Sequence, residues 1–597
     1  MESSDKGQEK KNITEFKTFS VPFSLGEAKA NISLSSNESN ELSKEKIINQ
    51  AFKFHSDGNI PEAKKCYKNF IDKGFKDYRV FSNYGTILRN LGKLQEAEIF
   101  QRKAIEINPD FAEAHYNLGN ILYDLRKLKE AEIAIRKAIE INPDFANAYS
   151  NLGNILRDLG KLEEAEISQR KAIEINPDFA IAHFNLGTIL RDLGKSLEAE
   201  IELRKAIAIK PHFAEAYYNL GGILNELGKL QEAEITTRKA IELKPDFFQA
   251  HSALGSLLGE LGKLKEAAIS TRKAIELNPH FAEAHYNLGG MLKNLGNSKE
   301  AKKELIKAIE LEPNLTKALE QLARELYFDQ EYELAIKYLQ GSKSLYCQSL
   351  YLGCLLCLNR EKEFNQKYKE LSTKGVCNAE IGGIVEHANH LYGTRKESHF
   401  CNEAINYVVI EKVNEESFSS NDLNAMISYI NNDKTSLRAQ GNLFQGIQTS
   451  GNLFSLELPF VKSIRKALEE KIELYKNRFK DSGQSFIYNW PKEYELRSWM
   501  ISMKNGGFLA PHNHQYGWIT GSFYLQVPKS FGIENSGNIA FSYKGPKYPH
   551  KDKNFNLTIK KVENRDICIF PSSLFHHTIP FESSEERICF VFDLVQK

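Results

Sequence analysis

Apolar and polar positions follow two rhythms along this chain, and the change between them falls near residue 400. From about residue 44 to 345 the apolar residues lie at helical spacing in paired blocks. In AEAHYNLGNILYDLRKLKEAEIAIRKAIEINPDF the two blocks are separated by a short turn and closed by Asn-Pro. Pro109, Pro143, Pro177, Pro211, Pro245, Pro279 and Pro313 stand 34 residues apart and set the register. Each unit therefore predicts a helix hairpin. A 34-residue hairpin cannot bury its apolar face alone, so neighbouring units are expected to stack into an α-solenoid. Residues 44–76 and 77–110 read as divergent first units. After Pro313 the pattern decays through ELYFDQEYELAIKYL into SLYCQSLYLGCLLCLNR, so 346–405 is expected to be a helical linker or degenerate repeat. Residues 1–43 are polar and are expected to be flexible.

Past residue 400 the Ala-rich units give way to Gly, Ser, Asn and aromatic residues. One helix is predicted at about 459–480. Short β-type runs follow at 496–503, 518–527, 538–543, 556–559, 566–570 and 587–594, with turn residues between them. Closely spaced short strands of this kind predict a mainly β domain, a sandwich or jelly roll, over 406–597.

Charge and composition narrow the function. The 597 residues carry 79 Lys+Arg against 78 Asp+Glu, so no excess of positive charge invites phosphate backbones or acidic membranes, and neither nucleic acid nor membrane is expected as a partner. The amino-terminal MESSDKGQEKKNITEFK has no apolar run of signal-peptide length, and no segment approaches the roughly 20 apolar residues that span a bilayer. Eight cysteines without framework spacing suit a reducing compartment, and a cytoplasmic location is expected. Cys354 and Cys357 form CxxC, but leucines lie between them and no second pair follows, so packed thiols are expected rather than zinc.

Two groups of residues carry candidate chemistry. Asn83, Asn117, Asn151, Asn185, Asn219 and Asn287 recur in the first helices at intervals of 34 or twice 34, with Ala253 interrupting the series. In a solenoid such positions form a line, and each amide offers a donor and an acceptor, as a peptide unit does. With helix layers roughly 10 Å apart and about 3.3 Å per extended residue, one Asn could meet every third peptide group. Near-identical repeats would also copy a neutral Asn with the same regularity. The second group begins in PHNHQYGWITGSFYLQVP (511–528). Two histidines at i and i+2 before a strand, with a histidine pair about 60 residues later in FPSSLFHHTIPF, have the spacing of a facial metal triad in a jelly roll. Alternation along a strand keeps His576 and His577 from facing one ion together. Arg587, in the last strand, is placed to take a carboxylate through two N–H groups. Glu563 and Asp566 read as turn residues.

These motifs carry resemblances. The Leu-Gly packing point, the small Ala131 and Ala138 of the second helix and the closing proline resemble the tetratricopeptide repeat, whose first helices line a concave groove. The asparagine series is similar to the one that holds extended peptides in the repeats of protein O-GlcNAc transferases. GGFLAPHNHQYGWITGSFYLQVP, FPSSLFHHTIPF and ERICFVFDL together resemble the 2-oxoglutarate/Fe(II) oxygenase domains, double-stranded β-helix folds, found fused to tetratricopeptide arrays in bacteria. That resemblance implies Fe(II) and 2-oxoglutarate as cofactors, His512 and His576 as iron ligands, and Arg587 as the anchor of the 2-oxoglutarate side-chain carboxylate; His514, two residues after His512, stands as the third expected ligand. The run FPSSLFH places the distal ligand at His576, whereas a spacing of ten to Arg587 would select His577. The usual triad of that superfamily is His-x-Asp/Glu with a distal His. His514 in place of the carboxylate leaves the site one unit more positive, and a dianionic 2-oxoglutarate would bring Fe²⁺ to neutrality.

The expectation is a repeat scaffold that binds a protein or peptide and carries a dioxygenase, a hydroxylase in the simplest case. A scaffold with a catalytically inactive jelly roll is the first alternative. The second is a repeat protein associated with glycosyl transfer, which the short stretch after the helices argues against because it lacks two βα-type nucleotide-binding halves.

Overall fold

The computed structural model describes residues 36–432, 437–438, 442–529, 534–550 and 555–597. The expected flexible segment therefore lies outside the described residues as far as residue 35, and a helix runs Ser36–Ser56. Among the described residues, 21 α-helices follow one another from Ser36 to Tyr392 before the first strand. The chain forms two compact units that divide between Asn287 and Leu288.

The first unit is a stack of helix hairpins, of which Ala112–Asp124 and Leu128–Ile141 are typical. Gly119 marks where the two helices touch: a Cβ there would lie 2.5 Å from Ile135 Cγ1, so no larger residue fits without movement. Opposite it, Ala131 and Ala138 are fully buried. The turn inside the hairpin needs a left-handed residue. Gly160, with φ of +77°, supplies it in one unit, and Arg126 adopts φ of +61° in another at a steric cost of about 1 kcal/mol. First helices of successive units touch one another more closely than second helices do, which makes them the inner layer. The outer layer is tied by ion pairs that repeat with the sequence. Glu132 receives Arg136 from its own helix at 2.8 Å and Lys161 from the next unit at 3.0 Å, and Glu166 receives Arg170 and Lys195 at 2.8 Å each.

The second unit continues with helices Ser298–Leu311, Thr316–Phe328, Tyr332–Leu339, Leu345–Cys357, Glu361–Thr373 and Ala379–Tyr392. The stretch expected to be a helical linker or degenerate repeat contains three packed helices. Cys354 is fully buried there, and burial pushes its thiol up to about 12.

Two antiparallel sheets follow. Their strands are β1 (Val409–Lys412), β2 (Leu437–Arg438), β3 (Leu443–Thr449), β4 (Tyr494–Leu509), β5 (Gly517–Gln526), β6 (Ile539–Ser542), β7 (Thr558–Lys560), β8 (Asp566–Pro571), β9 (Phe575–Thr578) and β10 (Arg587–Gln596). The larger sheet runs β1-β8-β5-β10-β4-β3-β2 and the smaller β7-β6-β9. All pairings are antiparallel, which fits the jelly roll and not the parallel βα halves of a nucleotide-sugar transferase. The long helix Pro459–Arg478 buries Ile464, Leu468 and Ile472 in the same core as Phe523, Phe570 and Phe592.

The helix Ala379–Tyr392 is fastened to the β domain by His387. Its Nδ1 accepts from Gly545 N–H at 3.0 Å and its Nε2–H donates to the Pro549 carbonyl at 2.9 Å. Burial pulls this imidazole down from 6.5 to about 4. The unfolded chain therefore binds the proton more readily, so the stabilisation is complete above pH 6.5 and is lost as pH falls toward 4, roughly 3 kcal/mol in full. Denaturant unfolding of the metal-free protein at pH 7 and pH 4.5 should show the loss. His387→Gln, which keeps a donor to Pro549 but does not titrate, should flatten part of that slope; an unchanged slope would remove His387 as its source.

Candidate metal centre

The HxH segment meets the second histidine pair through backbone bonding. His512 N–H donates to the His576 carbonyl at 3.1 Å, His576 N–H donates to the His512 carbonyl at 2.9 Å, and His514 N–H donates to the Ser572 carbonyl at 3.2 Å. These bonds seat the loop before β5 on the turn between β8 and β9. Between His512 and His514, Asn513 donates from Nδ2 to Glu380 Oε2 at 2.9 Å, and burial holds the Glu380 carboxyl above its ordinary range. Helix and loop pack so closely that a Cβ on Gly383 would lie 2.6 Å from Ser573 O.

His512, His514 and His576 come together, with their candidate ligand atoms all within 4.8 Å of one another. His577, its neighbour on β9, bridges β6 from the next position and lies outside the cluster, as strand alternation requires. The Nδ1 atoms are all committed: His512 to Ala510 O at 2.8 Å, His576 to Leu574 O at 3.3 Å, and His514 to Asp593 Oδ1 at 2.7 Å. Carbonyl and carboxylate oxygens only accept, so each Nδ1 carries the hydrogen and each Nε2 presents a lone pair. His512 Nε2 and His514 Nε2 stand 3.2 Å apart. Burial pulls His512 down to about 3 and His576 well below its ordinary value, so these two rings stay uncharged. Imidazole nitrogens brought this close are a donor set for a cation, and the residues fit a divalent metal on three nitrogens. Trp499 stacks on the His514 ring with centroids 5.7 Å apart and an interplanar angle of 17°.

The cluster opens into a cavity of about 310 Å³ between the two sheets. Alternation along the strands puts Trp499, Ile501 and Met503 of β4, Ser522 and Tyr524 of β5, and Arg587, Cys589, Val591 and Asp593 of β10 on its wall. Arg587 is 2% exposed; its Nε donates to Gly537 O at 3.0 Å, and among the described residues no carboxylate pairs with it. Tyr524 lies beside it, the guanidinium carbon 5.0 Å from its ring centroid, and the buried Tyr524 hydroxyl has no hydrogen bond of good geometry. An unpaired buried cation next to an unsatisfied hydroxyl is suited to a carboxylate. The sequence had pointed to Arg587 but not to Tyr524, Asp593 or Glu380. For the first two the signal was present: Tyr524 and Asp593 share strand parity with inward-facing neighbours. Glu563 and Asp566 form a turn, Glu563 N–H donating to Asp566 Oδ2 at 2.7 Å, with both carboxylates facing Lys412.

The asparagines take definite partners. Nδ2 donates to the preceding unit in every case: Asn83 to Tyr67 Oη at 3.2 Å, Asn117 to Ser82 Oγ at 3.3 Å, Asn151 to Tyr116 Oη at 3.0 Å, Asn185 to Ser150 Oγ at 3.2 Å, Asn219 to Thr188 Oγ1 at 3.5 Å and Asn287 to Ser256 Oγ at 3.3 Å. The donor half of each amide therefore joins units, and among the described residues no hydrogen bond reaches the acceptor half.

The β domain thus brings three histidines and a buried arginine to the wall of one cavity. The family described as "Putative 2OG-Fe(II) oxygenase" matches residues 497–593, a span that holds the three histidines and Arg587. Tetratricopeptide families match 85–125, 112–145, 144–212, 214–247, 248–281 and 282–315. The chain thus carries tetratricopeptide repeats over residues 85–315 and a carboxyl-terminal domain that matches that family over residues 497–593. No curated protein matches it. Among solved structures it is similar to YrrB, described as a TPR protein with an unusual peptide-binding site, at 30% identity over 31% of this chain and 96% of that one, with a TM-score of 0.27. It is also similar to MamA (27% identity, 28% and 97% covered, TM-score 0.26) and to Pseudomonas aeruginosa PilF (20% identity, 36% and 97% covered, TM-score 0.33). Among the described residues no helix is long and apolar enough to cross a membrane.

If the three Nε2 atoms are the donor set, anaerobically loaded wild-type protein should hold one Fe(II) per chain. His512→Ala, His514→Ala and His576→Ala should each lose it, while His577→Ala keeps it. Iron lost from His577→Ala but kept by His576→Ala would move the distal ligand by one residue.

Proposed function

We propose that the β domain is an Fe(II)- and 2-oxoglutarate-dependent oxygenase whose substrate is a protein or peptide gripped by the repeat array. The observation that carries this reading is one cavity holding both a three-nitrogen donor set and a buried, unpaired Arg587. When bound, Fe(II) with 2-oxoglutarate and O₂ supplies the oxidising power for hydroxylation, 2-oxoglutarate leaving as succinate and CO₂. The chain's own part is to hold and exclude. His512, His514 and His576 would hold the metal through their Nε2 atoms. Arg587 and the Tyr524 hydroxyl take the distal carboxylate of 2-oxoglutarate, and Ile501, Met503, Leu509 and Val591 keep that end of the cavity free of water. In the array, the unused Oδ1 of Asn83, Asn117, Asn151, Asn185, Asn219 and Asn287 accepts peptide N–H groups while Nδ2 fixes the amide's orientation.

Arg587→Ala should retain iron and lose 2-oxoglutarate binding by roughly 2 to 5 kcal/mol, because the buried carboxylate is left unpaired. Tyr524→Phe should lose less, about 1 kcal/mol, as expected for one hydrogen bond. Calorimetric titration of 2-oxoglutarate into iron-loaded variants under anaerobic conditions measures both. Equal affinity in wild type and Arg587→Ala would refute the anchor, and failure of the wild type to form succinate with any peptide would leave a binding scaffold with an inactive site.

For the array, Asn117, Asn151 and Asn185 changed together to Ala should keep helical circular dichroism while lowering the melting temperature, since each also loses a bond between units worth about 1 kcal/mol. Binding to an arrayed peptide library, measured well below that temperature, should fall. Unaltered binding would confine the asparagines to joining units.

A further inference from the structure

We infer that Asp593 is the displaced carboxylate of the metal centre, a positioning residue that supports His514 from behind and returns to the site the negative charge that a histidine at this ligand position removes. The inference rests on the proposed metal site and adds a residue to it that no ligand motif contains. Its basis is an asymmetry among the three histidines. His512 and His576 lean their Nδ1–H on neutral carbonyls, Ala510 O and Leu574 O. His514 alone leans on a carboxylate, Asp593 Oδ1 at 2.7 Å, and His514 stands where the usual triad has its Asp or Glu. Three neutral nitrogens with one carboxylate in the next shell give the same net charge as two nitrogens and a ligating carboxylate.

The surroundings hold the carboxylate in that role. Asp593 lies opposite Thr520 in the β5–β10 register, and Thr520 Oγ1 contacts both Asp593 Oδ1 and His514 Nδ1. The Asp593 side chain is 13% exposed, and its Oδ1 takes His514 Nδ1–H and the Thr520 hydroxyl, while among the described residues no Lys or Arg pairs with it. A carboxylate so enclosed, with no Lys or Arg against it, is costly unless positive charge reaches it by another route, and a metal across the His514 ring provides one. A carboxylate behind a ligating imidazole also fixes the tautomer and makes the distal nitrogen a stronger donor. Trp499 stacked on the ring prevents it from rotating away.

The test measures Co(II) affinity of the full chain by competition with a chromophoric chelator, with the Co(II) ligand-field spectrum as a record of the donor set. Asp593→Asn, nearly isosteric, should weaken Co(II) binding 10- to 100-fold while metal-free melting stays close to wild type. His514→Asp puts the carboxylate on the metal, so adding Asp593→Asn to it should cost nothing or tighten binding by relieving the repulsion of two carboxylates. A purely structural Asp593 would instead give the same loss in both backgrounds. Wild-type affinity in Asp593→Asn overturns the inference. Should that variant fail to fold, the His514→Asp pair decides, and a further tenfold loss on adding Asp593→Asn overturns it. His512→Ala is the control for the site itself: unchanged Co(II) binding there removes the metal centre, whereas lost binding there with none lost in Asp593→Asn removes only the role of Asp593.

Discussion

Three imidazole lone pairs aimed at one point repel one another, and the rest of the β domain is built to keep them there. Their Nδ1–H groups are already engaged by Ala510, Leu574 and Asp593, so the rings cannot turn those hydrogens toward one another. The chain holds this arrangement by backbone pairing of residues 512 and 576 and by the buried Glu380–Asn513 contact. The absent side chain at Gly383 lets the helix Ala379–Tyr392 press against the loop. A helix that follows the last recognisable repeat is thereby part of the support of the histidine cluster.

The cavity concentrates opposite charges on one strand. Arg587 and Asp593, six residues apart on β10, share a face, with Cys589 and Val591 between them. Each is buried without a full counter-charge from the protein, one calling for an anion and the other for a cation. Under the proposed function a metal and a dicarboxylate would settle both demands, and the strand would act as a polarised template for that pair of ligands.

Much of this was legible in the sequence, for reasons that differ by region. The 34-residue proline spacing fixed the hairpins because each unit repeats the same packing problem. β4, β5, β6, β8 and β10 were legible from their β-branched and aromatic runs, although β4 extends to Leu509 through Lys504-Asn505-Gly506-Gly507, residues of low strand preference. β1 and β3 were missed, since VIEK is short and LFQGIQT contains a glycine, and β9 was read only as a histidine-bearing segment. They become strands because the neighbouring edge offers a partner. The HxH segment and Arg587 stood out by residue type. Glu380 could not, because 132 residues separate it from His512 and only packing brings a carboxylate there. The asparagine series was visible as a line, but its regularity could not reveal that half of every amide is taken by the preceding unit.

The ion pairs of the outer layer have an evolutionary consequence. Glu132, Glu166 and their counterparts bind one partner within the unit and one in the next, in the same geometry at each step. A unit copied or deleted between two others meets the same partners on both sides, so the array lengthens or shortens by about 10 Å without any interface being redesigned. Tandem blocks this alike are substrates for unequal crossing-over, and the commonest accident of such a gene yields another folded protein with a different reach.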